Sequence, residues 1–277
     1  MTTDSSDSPA PTSVGIQARP LTPAVELHHR IEGDPAADVP VVLIHGVGSS
    51  LASWDDVVGL WPAGRPVVRY DLRGHGQSPA PAGPWNIDDF AADHVELLKR
   101  LGIGKAHTVG FSLGGLIAQR VAAVHPELVD TLVVIGAVAG RTDQETNAVQ
   151  QRLRMVVEEG PAGAARKSVE RWYSKEYLAE HPEVAAETVA RMAQLDAVAY
   201  THAYRVLATT DLADQLPRIM APVLAMTGEH DAGSPPRMSR LIAERTHGRC
   251  VVLSGARHTV LQERPDEIAK EIELHVR

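Results

Sequence analysis

Six short apolar runs, spaced through the chain with helical patterns between them, constrain the fold more than anything else in this sequence. They are "VVLI" (Val41–Ile44), "VVRY" (Val67–Tyr70), "AHTVGF" (Ala106–Phe111), "TLVVIG" (Thr131–Gly136), "PVLAMTG" (Pro222–Gly228) and "CVVLSG" (Cys250–Gly255). Most are apolar on consecutive rather than alternate positions. A strand reads this way when both of its faces are buried, as in a parallel sheet covered by helices on each side. The segment "NIDDFAADHVELLKRLG" places Ile87, Phe90, Ala91, Val95, Leu98 and Leu101 at helical spacing, with Asn86 as N-cap, Asp89 three residues on and Gly102 as the stop. "LGGLIAQRVAAVHP" and "RPDEIAKEIELHV" are two further helical patterns. Alternating strands and helices predict an α/β fold with a doubly wound, mostly parallel sheet.

The rhythm breaks once. From Arg141 to about Ala208 nothing reads as a strand, and the stretch is rich in Ala, Glu and Arg. We therefore expect a helical cap over residues 141–208, inserted into a core made of residues 14–140 and 209–277. The first residues, "MTTDSSDSPAPTS", lack the basic and apolar regions of a secretory signal. Their composition predicts a disordered tail over 1–13.

The 277 residues are 44 % apolar but only 4 % aromatic, so the core must be built mainly from Ala, Val, Leu and Ile. The net charge of −8 argues against nucleic acid as a partner. No apolar stretch reaches the roughly 18–20 residues of a membrane span. Cys250 is the one cysteine, which agrees with a reducing cytoplasm and reads as a small buried hydrophobe. "HH" at His28–His29 lacks partners at ligand spacing, so no metal site is expected. No dinucleotide or phosphate-loop fingerprint appears either.

The chemistry concentrates at Gly110-Phe111-Ser112-Leu113-Gly114, at the seam between a strand and a helical pattern. Ser112 could cap the helix, sit in an ordinary turn, or be a nucleophile on a strained strand-to-helix elbow. The G-x-S-x-G pattern in this context favours the elbow, because flanking positions without side chains let the turn close. A serine nucleophile needs a base, and the base an orienting acid, which on such an elbow follow in the order Ser, Asp/Glu, His. Asp231 follows the fifth apolar run in "GEHDAGSPP", and His258 follows the sixth in "GARHTVLQERP". Both are expected at carboxyl ends of strands, where open α/β sheets bind ligands. The neighbouring His230 reads as structural, and Asp211 and Asp214 as surface or capping residues. An oxyanion hole is expected from the backbone N–H groups of Val47, in "HGVGSS", and Leu113. His45 and His75 read as braces for their loops.

"HGVGSSLASW", "VVRYDLRGHGQS", "LGIGKAHTVGFSLGGLIAQR" and "GARHTVLQERPDEI" resemble the α/β-hydrolase superfamily, from about Val39 to the C-terminus. Within it the chain most resembles the 3-oxoadipate enol-lactonase group, which shares the oxyanion loop, the "YD-x-RGHG-x-S" segment, a Gln at position 119 and a Trp-aromatic pair in the cap, here Trp172-Tyr173. Two departures bear on the substrate. "AVAGR" stands where that group has an Asn-Thr-Ala-like stretch, and Phe111 and Leu113 stand where Leu and Met are frequent. A serine at the elbow argues against the epoxide hydrolase and haloalkane dehalogenase relatives, which use Asp.

The resemblance implies a cofactor-independent serine hydrolase acting on a small-molecule ester or enol-lactone through an acyl-enzyme. Substrate contacts are expected from Trp54, Trp172 and Phe111. A C–C bond hydrolase, a broad carboxylesterase, an acyl-transfer enzyme and a slow-turnover ligand receptor are the alternatives. An acidic lactone would want a cation, and the cap offers Arg141, Arg152, Arg154, Arg166, Arg171, Arg191 and Arg205. Homo-oligomerisation is left open.

Overall fold

The structure is a computed structural model that describes residues 22–277; the expected tail over 1–13 lies outside them. Seven strands form one sheet: β1 (His29–Glu32), β2 (Val41–Ile44), β3 (Val67–Tyr70), β4 (Ala106–Phe111), β5 (Val129–Ile135), β6 (Val223–Gly228) and β7 (Arg249–Leu253). Their order is β1-β3-β2-β4-β5-β6-β7, with every pair parallel except β1 against β3. Six of the seven coincide with the apolar runs, and the α/β expectation holds. The edge strand β1 was not among those runs. Its sequence is His-Arg-Ile-Glu, and each of its residues is partly or fully open to solvent, so it carries no apolar signature.

Helices cover both faces, as consecutive apolar positions require. On one face, Val42, Ile44, Val68, Leu132 and Val134 pack against α2 (Ile87–Arg100), α3 (Leu113–Val124) and α9 (Pro236–Thr246). On the other, Val41, Leu43, Val109, Val133 and Ile135 meet α1 (Asp55–Gly59), α10 (Val260–Glu263) and α11 (Pro265–His275). Helix α2 starts where expected. The Asn86 side chain accepts from the backbone N–H of Asp88 and Asp89, and Asp89 returns a bond to the Asn86 N–H.

Between β5 and β6 the chain makes only helices: α4 (Asp143–Arg166), α5 (Val169–Trp172), α6 (Lys175–Glu180), α7 (Val184–Ala193) and α8 (Ala197–Thr209). Helix α4 is broken at Gly160, whose φ is +69°, and at Pro161, which has no N–H for the ladder. This layer has its own apolar cluster, with Val149, Val156, Met192, Tyr200 and Tyr204. Asp211 closes its base by accepting from the backbone N–H groups of Gly140 and Arg141.

The sheet order sets where a site can form. After β2 the chain moves outward to β3, and after β4 it moves the other way to β5. The loops leaving the adjacent ends of β2 and β4 therefore diverge and open a crevice. Below it, the "DLRGHGQS" loop is anchored by the fully buried Arg73, which donates to both Asp93 carboxylate oxygens at 2.6 and 2.8 Å and to Asp89 O. The guanidinium also lies over the rings of Trp85 and Phe90. We expect Asp93→Ala to leave this buried cation unpaired and to cost about 3–5 kcal/mol of stability, measured by urea denaturation; a loss below about 1 kcal/mol would show that the pair does not anchor the loop.

Candidate active site

The site begins with backbone geometry at Ser112. Its φ is +54° and ψ −114°, a conformation that a residue with a Cβ rarely adopts and that costs about 1–3 kcal/mol. The serine side chain makes no capping bond to α3, so the N-cap reading does not account for it. The turn is held by close backbone packing. A Cβ on Gly110 would lie 2.2 Å from the carbonyl oxygen of Gly114, and one on Gly114 would lie 2.2 Å from that of Ile44 in β2. Only glycine fits either position. The Ser112 N–H donates to Ile135 O at 2.8 Å, tying the turn to β5.

Two loops bring the partners. His258, after β7, places Nε2 3.3 Å from Ser112 Oγ and Nδ1 2.6 Å from Asp231 Oδ2. Asp231, after β6, is buried, and its other oxygen accepts from the N–H groups of Gly233 and Ser234 at 2.7 and 2.9 Å. Burial alone would raise the Asp231 carboxyl. The His258 contact and these two amides outweigh it and hold the group below the usual carboxylate range. Ionised Asp231 fixes the His258 proton on Nδ1, which leaves Nε2 as an acceptor facing the hydroxyl. Three residues 146 and 27 positions apart are thus joined in one hydrogen-bonded relay.

A cavity of about 160 Å³ opens above the relay. Gly46 and Val47 line it beside Ser112. Leu113 is the first residue of α3, so its N–H has no partner within the helix. Behind Val47, two buried histidines hold the loop. His45 donates from Nδ1 to Gly46 O at 2.7 Å and accepts at Nε2 from the Leu72 N–H at 3.0 Å. His75 donates from Nδ1 to Arg73 O and accepts at Nε2 from the Gly48 N–H, each at 3.0 Å. Both bracing expectations agree with these bonds. Burial lowers both pKa values, to about 3 for His45, where repulsion from His75 adds to it.

The helical layer closes the cavity from above. Trp172 lines it, and its carbonyl accepts from the N–H and hydroxyl of Thr259, next to His258. Phe111 also lines it, with its ring 5.1 Å from that of His258. Arg191 of α7 donates to Gly48 O at 2.5 Å, and the Tyr200 ring sits where a Gly48 Cβ would be.

A family model described as the alpha/beta hydrolase fold matches residues 39–265. The chain belongs to the α/β-hydrolase fold family. It is similar to 3-oxoadipate enol-lactonase 2 of Acinetobacter baylyi, at 30 % identity over 86 % of this chain and 88 % of that protein. It is also similar to the (E)-2-((N-methylformamido)methylene)succinate hydrolase of the same organism, at 31 % identity over 83 % and 87 %. Among solved structures it resembles the enol-lactonase from Burkholderia xenovorans LB400, with TM-score 0.83, 29 % identity, and 91 % and 96 % of the two chains covered. The chain is a hydrolase, and its likeness to the enol-lactonase group extends through sequence and fold.

One expected contact of this hydrolase needs correction. Trp54 does not line the cavity. It is fully buried in the apolar cluster with Val41, Leu43 and Val57, because the short 3-10 turn Leu51–Trp54 directs its ring into the core. Ser53, one residue earlier, faces the cavity instead. Gln119 is buried within α3, bonded to Gly115 O, and does not reach the site. His230 is exposed and outside the cavity lining. Met192, Thr188, Val149 and Gln262 line the cavity but were not read from sequence. Only the folded helical layer tells which of its faces points inward. Among the described residues no His/Cys/Asp/Glu group could hold a metal ion, and no helix is long and apolar enough to cross a membrane.

The buried histidines give a pH dependence. Unfolded, each takes a proton near pH 6.5; folded, His45 takes one only near pH 3 and His94 of α2 only near pH 4. Below pH 6.5 the unfolded state therefore binds more protons, and stability falls as pH falls. His45→Gln keeps one donor and one acceptor without a titrating group. Between pH 7.5 and 5.0 it should lose about 2 kcal/mol less unfolding free energy than the parent; identical losses by urea denaturation would show that His45 is not held neutral.

Proposed function

We propose that this hydrolase cleaves a small carboxylic ester or enol-lactone through a covalent acyl-enzyme on Ser112. One observation carries the reading: a strained serine whose hydroxyl meets an imidazole that is oriented in turn by a buried, ionised carboxylate. Ser112 Oγ attacks the carbonyl carbon while its proton passes to His258 Nε2. The developing oxyanion is held by the N–H groups of Val47 and Leu113, at the positive end of α3. Asp231 stabilises the imidazolium. The tetrahedral adduct collapses, and the leaving oxygen takes the proton from Nε2. In a lactone that oxygen stays tethered to the acyl group. Water, deprotonated by His258, then attacks the ester of Ser112 and releases the acid. No step calls for a metal or an organic cofactor.

The similarity to two enol-lactonases favours a lactone, and the cavity of about 160 Å³ suits a small substrate. Trp172 and Phe111 supply its apolar walls. A carboxylesterase or C–C bond hydrolase would use the same relay, so a substrate comparison separates these readings.

Steady-state kinetics on 3-oxoadipate enol-lactone and 4-nitrophenyl acetate test the proposal. We expect Ser112→Ala and His258→Ala each to lower kcat at least about 1,000-fold, and Asp231→Asn somewhat less. Activity of Ser112→Ala within tenfold of the parent would overturn the acyl-enzyme. A kcat/KM above about 10⁴ M⁻¹s⁻¹ on the lactone, far above that on the acetate, would identify a dedicated lactonase.

A further inference from the structure

The helical wall of the cavity carries an excess of positive charge that the relay does not use. Arg141, Arg152, Arg171 and Arg191 all line it. Two carboxylates line it as well, and both are engaged. Asp231 is bonded to His258. Glu145 accepts from the Thr142 N–H and pairs with Arg237, which is not part of the lining. None of the four cavity arginines forms an ion pair with a described residue.

Two of the four have structural work. Arg141 donates to the carbonyls of Thr210 and Leu207, closing the base of the helical layer. Arg191 donates to Gly48 O and latches α7 to the loop behind Val47. The other two do not. Arg171 gives one N–H to Ser168 Oγ and keeps the rest of its fork. The Arg152 side chain, half-buried in α4, makes no hydrogen bond or ion pair with any described residue. The two are close enough to disturb one another: burial first, and the charge of Arg152 second, pull the Arg171 pKa down. Two unpaired guanidiniums in one partly dry cavity repel each other, and an anion bound between them removes that cost.

We propose that Arg152 and Arg171 form a paired carboxylate site, and that the substrate carries two carboxylates besides the carbonyl that Ser112 attacks. The proposal rests on the acyl-enzyme reading for its reacting end. Each guanidinium offers a planar fork to one carboxylate. The anions anchor the substrate along the helical wall and leave the ester or lactone carbonyl over Ser112. A neutral ester of equal size would forgo both anchors.

Calorimetric titration of the Ser112→Ala protein at low ionic strength tests this without any turnover. The probes are propionate, succinate and propane-1,2,3-tricarboxylate, in which one carboxylate takes the place of the hydrolysed acyl group. We expect Kd to fall about tenfold with each added carboxylate. Arg152→Gln and Arg171→Gln should each weaken tricarboxylate binding at least tenfold. Arg154→Gln, on an exposed position of the same helix, should bind as the parent does. Equal affinity for the three probes, or a tricarboxylate no tighter than succinate, would overturn the proposal. So would an equal loss in Arg154→Gln, which would reveal only the overall charge. A flat series beside an inactive Ser112→Ala enzyme would remove the paired site and leave the acyl-enzyme standing. A steep series beside an active Ser112→Ala enzyme would do the reverse.

Discussion

Everything at the site depends on how closely α3 approaches β2 and β4. The carbonyls of Ile44 and Gly114 stand where side chains at 114 and 110 would begin. That packing forces the turn between strand and helix into so few residues that Ser112 must take a positive φ. The strain is of order 1–3 kcal/mol and is sustained by the two-sided burial of β4, all of whose residues are buried. In return the hydroxyl is kept out of the helix cap and meets His258. A relaxed serine in this position would cap the helix and be lost to chemistry. The strain suits the nucleophile role proposed for Ser112, and the apolar core on both faces of the sheet is what bears it.

A second set of constraints holds the opposite wall. The loop after β2 has no regular structure, yet Gly46, Val47 and Gly48 must keep their position beside Ser112. Neutral imidazoles do this well, because each supplies one donor and one acceptor in a fixed plane. His45 and His75 bond the loop at Gly46 O and the Gly48 N–H while remaining dry and uncharged. Asp71 adds bonds to the N–H groups of Leu51 and Gln77. The loop is thus fastened from below by polar side chains of the "DLRGHGQS" segment, whose Arg73 is itself anchored in the core. The ring nitrogens of His45 and His75 are thereby all committed to backbone groups.

The fold was legible from sequence, and so were the three residues that the structure joins by hydrogen bonds, because their determinants are local. Six strands announce themselves by consecutive apolar residues, and the elbow by glycines two positions from a serine at a strand end. Asp231 and His258 could be named because each follows a strand by a few residues. What was not legible depends on directions that only packing decides. Strand β1 is held by backbone bonds to β3 and carries little apolar side-chain surface. Trp54 lies beside the right loop in sequence, but the pitch of a single turn sends its ring inward. The arginines of the helical layer look alike in sequence. Arg152 and Arg154 are two positions apart on α4, so they face different sides of the helix, and only one meets the cavity.

The charge distribution gives the last step. The chain as a whole carries −8, yet the helical wall above Ser112 presents four guanidiniums whose nearest carboxylates are committed elsewhere. A positive cavity in an acidic protein is a focused field. It draws a small anion from a distance at which the surface would repel it, and the low-dielectric walls sharpen the effect. The same field acts on the reaction. In the proposed reaction it would favour negative charge developing on the carbonyl oxygen, and it would also hold an anionic product after the Ser112 ester is hydrolysed. Arg191 both faces the cavity and fastens α7 to Gly48, so the charged wall is tied directly to the loop beside Ser112.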